Sequence, residues 1–397
     1  MKPSAAPLRI LIVLHLPWDA RLGAARVLIE LAREWTRAGH TVEKFCLTDA
    51  WPEPASSRAG AAFRQSRFSW RAAEYIRRNV DRFDVIDCLI GVLPFQKRSL
   101  RLRGLLVARS VGLHRLYDKF LRQSRILWPN QPKGRWFGRL FHRWLDWRAW
   151  REAERSVRAC DLLNLPNEDE RLALARDPAV RAPAIVLPYG LTEDFRAALA
   201  RAAAQPAQRL ARKTICFIGM WSPRKGAYDW PRIIAAIRQL HPTARFLLLG
   251  TMFEERAVRS DLGLVEGISC RTTFTEAELP GLLAECTVAL FPSYIEGFGL
   301  AVLEQLAAGL PTVAYEVPGP RQILDSQRER LLTPVGDPIA MAARASEILA
   351  LSVPEYEKLS GECRAIAQGY SWPEIARDTI DQYRAALESP GEEARGA

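Results

Sequence analysis

The chain has 397 residues, 48% of them hydrophobic, which is long enough for two domains of ordinary size with a core each. A formal charge of +11 calls for an anionic partner, whether nucleotide, phospholipid surface or nucleic acid. Seven cysteines, scattered without a C-x-x-C pair or Cys/His cluster, argue against a zinc site and a disulfide framework and point to a reducing, cytoplasmic setting; no run of eighteen apolar residues offers a bilayer span.

In chain order, Arg9 to Leu14 reads as a strand of parallel type. The apolar run around it, Leu8 to Leu16, carries Arg9 and His15, lacks a small-residue cleavage site and leads straight into Gly23 and a helical pattern, so it reads as a strand. Val27, Leu28, Leu31, Ala32 and Trp35 then repeat at helical spacing over 24–38, closed by Gly39, and Thr41 to Leu47 is a second strand. Val85 to Cys88 and Leu105 to Ala108 are further strands, and Ile185 to Gly190 closes the first domain. Between Lys97 and Arg158 basic residues outnumber acidic ones by about four to one. Within that stretch Trp136, Leu140, Trp144 and Trp147 fall at i, i+4 and i+3 steps among arginines, the pattern of an interfacial helix on an anionic membrane surface. A core-packing helix with a charged outer face competes with that reading, as does an Arg/Trp nucleic-acid surface, which no recognition module accompanies.

Residues 196–213, rich in Ala, Arg and Gln with Pro206, read as a linker, after which the βα rhythm restarts at Ile215 to Ile218 and continues at Phe246 to Gly250. Val288 to Phe291 is a short buried strand halted by Pro292. Leu300, Leu303, Leu306 and Ala307 follow at helical spacing until Gly309 and Pro311, and Thr312 to Tyr315 is the next strand. Glu296 and Glu304 straddle the turn Glu296-Gly297-Phe298-Gly299-Leu300, roughly 8–12 Å apart at the helical rise, with open helix amides between them. That is the span of a sugar diphospho-nucleoside, and the two neighbouring hydroxyls of a ribose suit a carboxylate acceptor.

The stretch from Phe291 through Glu296, Glu304 and Gly309-Leu310-Pro311 resembles the E-x7-E signature of retaining glycosyltransferases of family 4. Phe217-Ile218-Gly219 with Arg224-Lys225-Gly226 is similar to the family's first donor-domain strand and phosphate loop, and Tyr370-Ser371-Trp372 to the motif that opens its C-terminal helix. The resemblance implies a GT-B α/β fold, two Rossmann-like domains facing across a cleft. The expected division is an acceptor-side domain at 1–195, the linker 196–213, a nucleotide-sugar donor domain at 214–371, a helix at 372–388 returning to the first domain and a disordered tail at 389–397.

By resemblance, Glu296 takes the sugar hydroxyls and the reacting face, and Glu304 the ribose. Lys225 meets the diphosphate, with the backbone of Gly297, Phe298, Gly299 and Leu300. The family's usual Gly-Arg is Gly219-Met220 here, so either Arg224 substitutes for the missing cation or the grip on the phosphate is weaker. Gly23 resembles one glycine of the family's N-terminal pair, the second being Ala24, and His114 stands near the acceptor-side histidine, whose usual place is closer to Val111. No Asp-x-Asp pair is present, and the family stabilises the diphosphate without one, so no metal and no cofactor is expected. The expected activity is transfer of a hexose-type sugar from a nucleotide diphosphate to a hydroxyl of a glycan or lipid-linked acceptor in cell-surface polysaccharide synthesis, with the 135–151 segment a candidate membrane contact and no nucleic acid bound. A nucleotide-sugar epimerase on the same fold and a non-catalytic sugar-nucleotide or membrane-binding protein are the alternatives. A glycosidase fits less well, since two carboxylates on one helix cannot easily flank both faces of a glycosidic bond.

Overall fold

The computed structural model describes residues 6–128, 136–263 and 266–388, and the expected tail at 389–397 lies outside them. The chain divides into two compact units, Met1–Arg115 with Trp128–Pro188 and Trp372–Ala397, and Leu116–Leu127 with Tyr189–Ser371. Among the described residues no helix is long and apolar enough to cross a membrane.

The first unit is built on β1 (Arg9–Leu14), β2 (Thr41–Cys46), β3 (Val85–Leu89), β4 (Leu105–Arg109), β5 (Leu162–Leu165) and β6 (Ala184–Val186), a parallel sheet in the order β2-β1-β3-β4-β5-β6. β1, β3, β4 and β5 are almost wholly buried, and their continuous apolar runs reflect a sheet covered on both faces. The helix Gly23–Arg37 buries Val27, Leu28, Leu31, Glu34 and Trp35 along one stripe. The C-terminal helix Trp372–Glu388 groups with this unit. Trp35 Nε1 donates to the Ala376 carbonyl at 3.2 Å, and Tyr383 Oη donates to Asp87 at 2.6 Å.

The second unit holds β7 (Thr214–Ile218), β8 (Arg245–Leu249), β9 (Ile268–Arg271), β10 (Val288–Phe291), β11 (Thr312–Tyr315) and β12 (Leu332–Thr333), all parallel, in the order β12-β11-β10-β7-β8-β9. Two departures from the sequence reading stand out. Residues 196–213 are no free linker: they form most of the helices Glu193–Ala202 and Pro206–Arg212, and the buried Arg209 donates to the carbonyls of Ala284 at 2.9 Å and Gly309 at 3.1 Å. Side-chain hydrogen bonds of that kind weld the segment to the second unit, which composition alone could not show. The N-terminal half is also not one block, because Leu116–Leu127 groups with the second unit.

Candidate active site

The second sheet changes direction between β7 and β10, since β8 and β9 extend beyond β7 while β11 and β12 extend beyond β10. At such a switch point the connections leaving the two strands' carboxyl ends run to opposite sides and leave room for a ligand. The loop after β7 carries Gly219 to Gly226, and the loop after β10 carries Pro292 to Gly299. They are pressed together: a Cβ on Gly226, whose φ is +80°, would lie 2.3 Å from the Pro292 carbonyl oxygen. Only glycine fits there. The Tyr294 amide also donates to the Arg224 carbonyl at 2.9 Å.

This approach sets Lys225 against Glu296, Nζ donating to Oε2, with both side chains largely buried. Lys225 Nζ also lies 4.7 Å from the centre of the Phe291 ring. Burial lowers the ammonium's pKa from its ordinary value, with Glu296 pulling it back up and Arg224 adding to the lowering. A second anion would relieve that shortfall of negative charge, so the geometry suits a phosphate ligand.

The helix Leu300–Ala307 starts behind Gly299, which is left-handed at φ +97° and supplies no side-chain cap. Its first-turn amides are thus uncapped by any side chain and carry the positive end of the helix dipole. Phe298 turns inward, its ring 5.1 Å from Tyr189 and 5.7 Å from Tyr370, so what it presents outward is backbone. Glu304 is 5% exposed on the same helix, which excludes an ordinary solvent-facing charge.

Arg224 stacks over Tyr117, its guanidinium carbon 5.6 Å from the ring centre, and Phe120 lies 6.1 Å from Tyr294. Both Tyr117 and Phe120 come from the segment that joins the second unit. Asp229 accepts from Tyr315 Oη at 2.7 Å, and burial pushes its carboxyl up. Sequence reading missed these neighbours. Tyr117 stands 107 residues from Arg224 and sits in no local motif, so only the fold discloses it.

Lys225, Arg224, Glu296, the 297–300 turn and Glu304 therefore belong to one unit, on two connected loops and the helix that follows the second. Gly23 and His114 belong to the other. Gly23 opens the helix Gly23–Arg37, and a Cβ there would meet nothing within 4 Å. His114 Nε2 lies 2.8 Å from Glu154 Oε1, which also accepts from Arg115 Nε at 2.7 Å. Burial pushes the Glu154 carboxyl up, but its bonds to Arg115 and His114 outweigh that and leave it below the usual range.

Comparison with known proteins matches this architecture. The profile of "Glycosyltransferase Family 4" takes in residues 22–195, and that of "Glycosyl transferases group 1" residues 212–350. A D-inositol 3-phosphate glycosyltransferase of Mycobacteroides abscessus is 28% identical over 196 residues, 47% of this chain and 43% of that protein. A GDP-mannose:cellobiosyl-diphosphopolyprenol alpha-mannosyltransferase of Xanthomonas campestris is 24% identical over 188 residues, 46% of this chain and 49% of that one. The chain thus spans about half the length of the curated relatives it matches. Among solved structures, sucrose-phosphate synthase of Thermosynechococcus elongatus superposes with a TM-score of 0.73 at 17% identity, over 95% of this chain and 98% of that one, and shares its two-sheet α/β fold of GT-B type. With one profile on each half, the chain joins a family 4 glycosyltransferase domain at 22–195 to a group 1 glycosyltransferase domain at 212–350.

Proposed function

We propose that this glycosyltransferase moves a hexose-type sugar, with retention at the anomeric carbon, from a nucleotide diphosphate to a hydroxyl of a glycan or lipid-linked acceptor. The observation that carries the reading is the buried Lys225–Glu296 pair at the strand switch point, facing a helix N-terminus without a side-chain cap. Sugar transfer leaves negative charge on the departing diphosphate and positive charge at the anomeric carbon, so the site needs a fixed cation and a fixed anion side by side. Lys225, Arg224 and the amides of 297–300 serve the first need, Glu296 the second, and Glu304 holds the ribose. Those cations and amides neutralise the diphosphate without a metal ion, so turnover should survive a chelator. The Xanthomonas relative's name couples a nucleotide sugar to a polyprenol-linked acceptor, which supports the substrate classes.

The test is calorimetric titration with UDP-, GDP- and ADP-sugars. The preferred donor should bind the native chain and raise its melting temperature. Losing a charged hydrogen bond to the ribose in Glu304→Ala should weaken binding by roughly 10- to 100-fold, with the circular dichroism spectrum unchanged. Unaltered affinity would remove the ribose assignment.

A second reading, a sugar-nucleotide binder without transfer, is favoured by one observation. Val111 occupies the place where the acceptor-side histidine is expected, and His114 is engaged by Glu154. Slow hydrolysis of the donor in the absence of acceptor would eliminate it.

A further inference from the structure

Two adjacent helices of the first unit turn aromatic side chains to solvent. The helix Arg58–Asn79 exposes Phe63 at 58% and Trp70 at 59%, and the helix Trp136–Ala159 exposes Trp144 at 47% and Trp147 at 52%. Arg148 donates to the Ser66 carbonyl and sets the helices side by side. The core takes other residues from each, Phe68, Ala72 and Ile76 from the first and Ala153 and Val157 from the second. A core-packing role therefore does not account for the tryptophans. The part of the sequence motif carried by Trp136 and Leu140 lies outside the described side chains.

Arginines accompany these rings. Arg67 lies 5.1 Å from the Phe63 ring centre and Arg151 4.6 Å from that of Trp147, with Arg71 5.3 Å from the half-buried Trp51. Arg67, Arg71, Arg151 and Arg155 are exposed, and none has a carboxylate partner among the described residues. Of the exposed acids on the same helices, Glu74 is taken by Arg78, and Asp146 has no partner among the described residues. The face is thus aromatic and cationic at once, with four unpaired arginines against the one carboxylate of Asp146.

Three occupants can be weighed against it. A second copy of the chain would bring the same bare arginines together across a two-fold axis and be repelled. Single-stranded nucleic acid stacks bases on open ring faces, but guanidiniums already lie over Phe63 and Trp147. A bilayer asks for something else: ring edges that enter the headgroup layer and cations that meet lipid phosphates. We propose that this two-helix face docks the chain on an anionic phospholipid bilayer.

The experiment is co-sedimentation of the full chain with vesicles of phosphatidylcholine alone or mixed with phosphatidylglycerol. Binding is expected to the mixed vesicles only and to weaken as salt is raised. Arg67→Gln, Arg71→Gln and Arg151→Gln together should lower it on the order of 100-fold, about fivefold for each cation near the surface. The matching lysine triple should keep most of it, separating charge from damage to the fold. Trp70→Ser with Trp147→Ser should also lose binding at low salt, which attraction by charge alone would not do. No binding to the mixed vesicles, binding indifferent to both sets of substitutions, or the same substitutions abolishing oligonucleotide binding or self-association instead would overturn the proposal.

Discussion

Glu170 shows how much a single buried acid can matter. It is fully buried on the helix Glu168–Ala175, its Oε1 accepting from the Leu113 amide at 3.1 Å, directly before His114. Burial pushes its carboxyl up from 4.5 to about 7, with Ser110, the Leu113 amide and Asn167 opposing. Because the folded pKa is raised, the favourable contribution is complete below pH 4.5 and is lost as pH rises through about 7. The shift corresponds to about 3 kcal/mol. Glu170→Gln keeps the acceptor for Leu113 but cannot ionise, so urea unfolding of the variant should gain on the native chain between pH 5 and 8 by up to that amount. Parallel pH profiles would show that the group does not titrate there. Nothing local in the sequence marks this residue, since it follows two other acids, the exposed Glu168 and the half-buried Asp169, in an ordinary acidic helix first turn. Glu296, Lys225 and Gly226 were legible for the opposite reason: each lies in a tight loop at a strand end, where the glycines and charges that the backbone demands leave a local pattern.

At the scale of elements, apolar strands such as β1 and β10 were readable because a parallel strand buried on both faces has no alternation to hide in. β5, β9 and β12 were not, because polar residues interrupt their short apolar runs. The helix Pro206–Arg212 misled more instructively. Its composition looks solvated, yet Arg209 is 1% exposed and Arg212, three positions on, is half exposed and paired with Glu285. A buried guanidinium bonded to carbonyls and a surface ion pair should respond differently to the same truncation. Arg209→Ala should cost about 2–3 kcal/mol, from lost charged hydrogen bonds and packing. Arg212→Ala should cost about 0–1 kcal/mol. Chemical denaturation of the two variants checks this, and equal costs would mean that Arg209 anchors nothing.

Over the whole molecule, the first unit is closed by the end of the chain. The last described helix buries Trp372, Ile375, Ala376, Ile380 and Tyr383 within that unit, and its Tyr383 hydroxyl completes an otherwise inaccessible ion pair between Asp87 and Arg109. Residues 296 positions apart thus share one hydrogen bond, and no fragment that lacks the last helix can satisfy this network. Removing only the hydroxyl, in Tyr383→Phe, leaves the pair short of one partner and should cost about 1–3 kcal/mol. Ending the chain after Ser371 should cost far more, because Trp35 loses its cover along with its acceptor at Ala376. Proteolysis discriminates between the two. The truncated chain should be cut quickly between residues 6 and 115, whereas Tyr383→Phe should stay resistant until near its lowered melting point. If the truncated chain resists as well as the native one, the helix is an ornament on a unit that folds without it, and its apolar face would need another explanation.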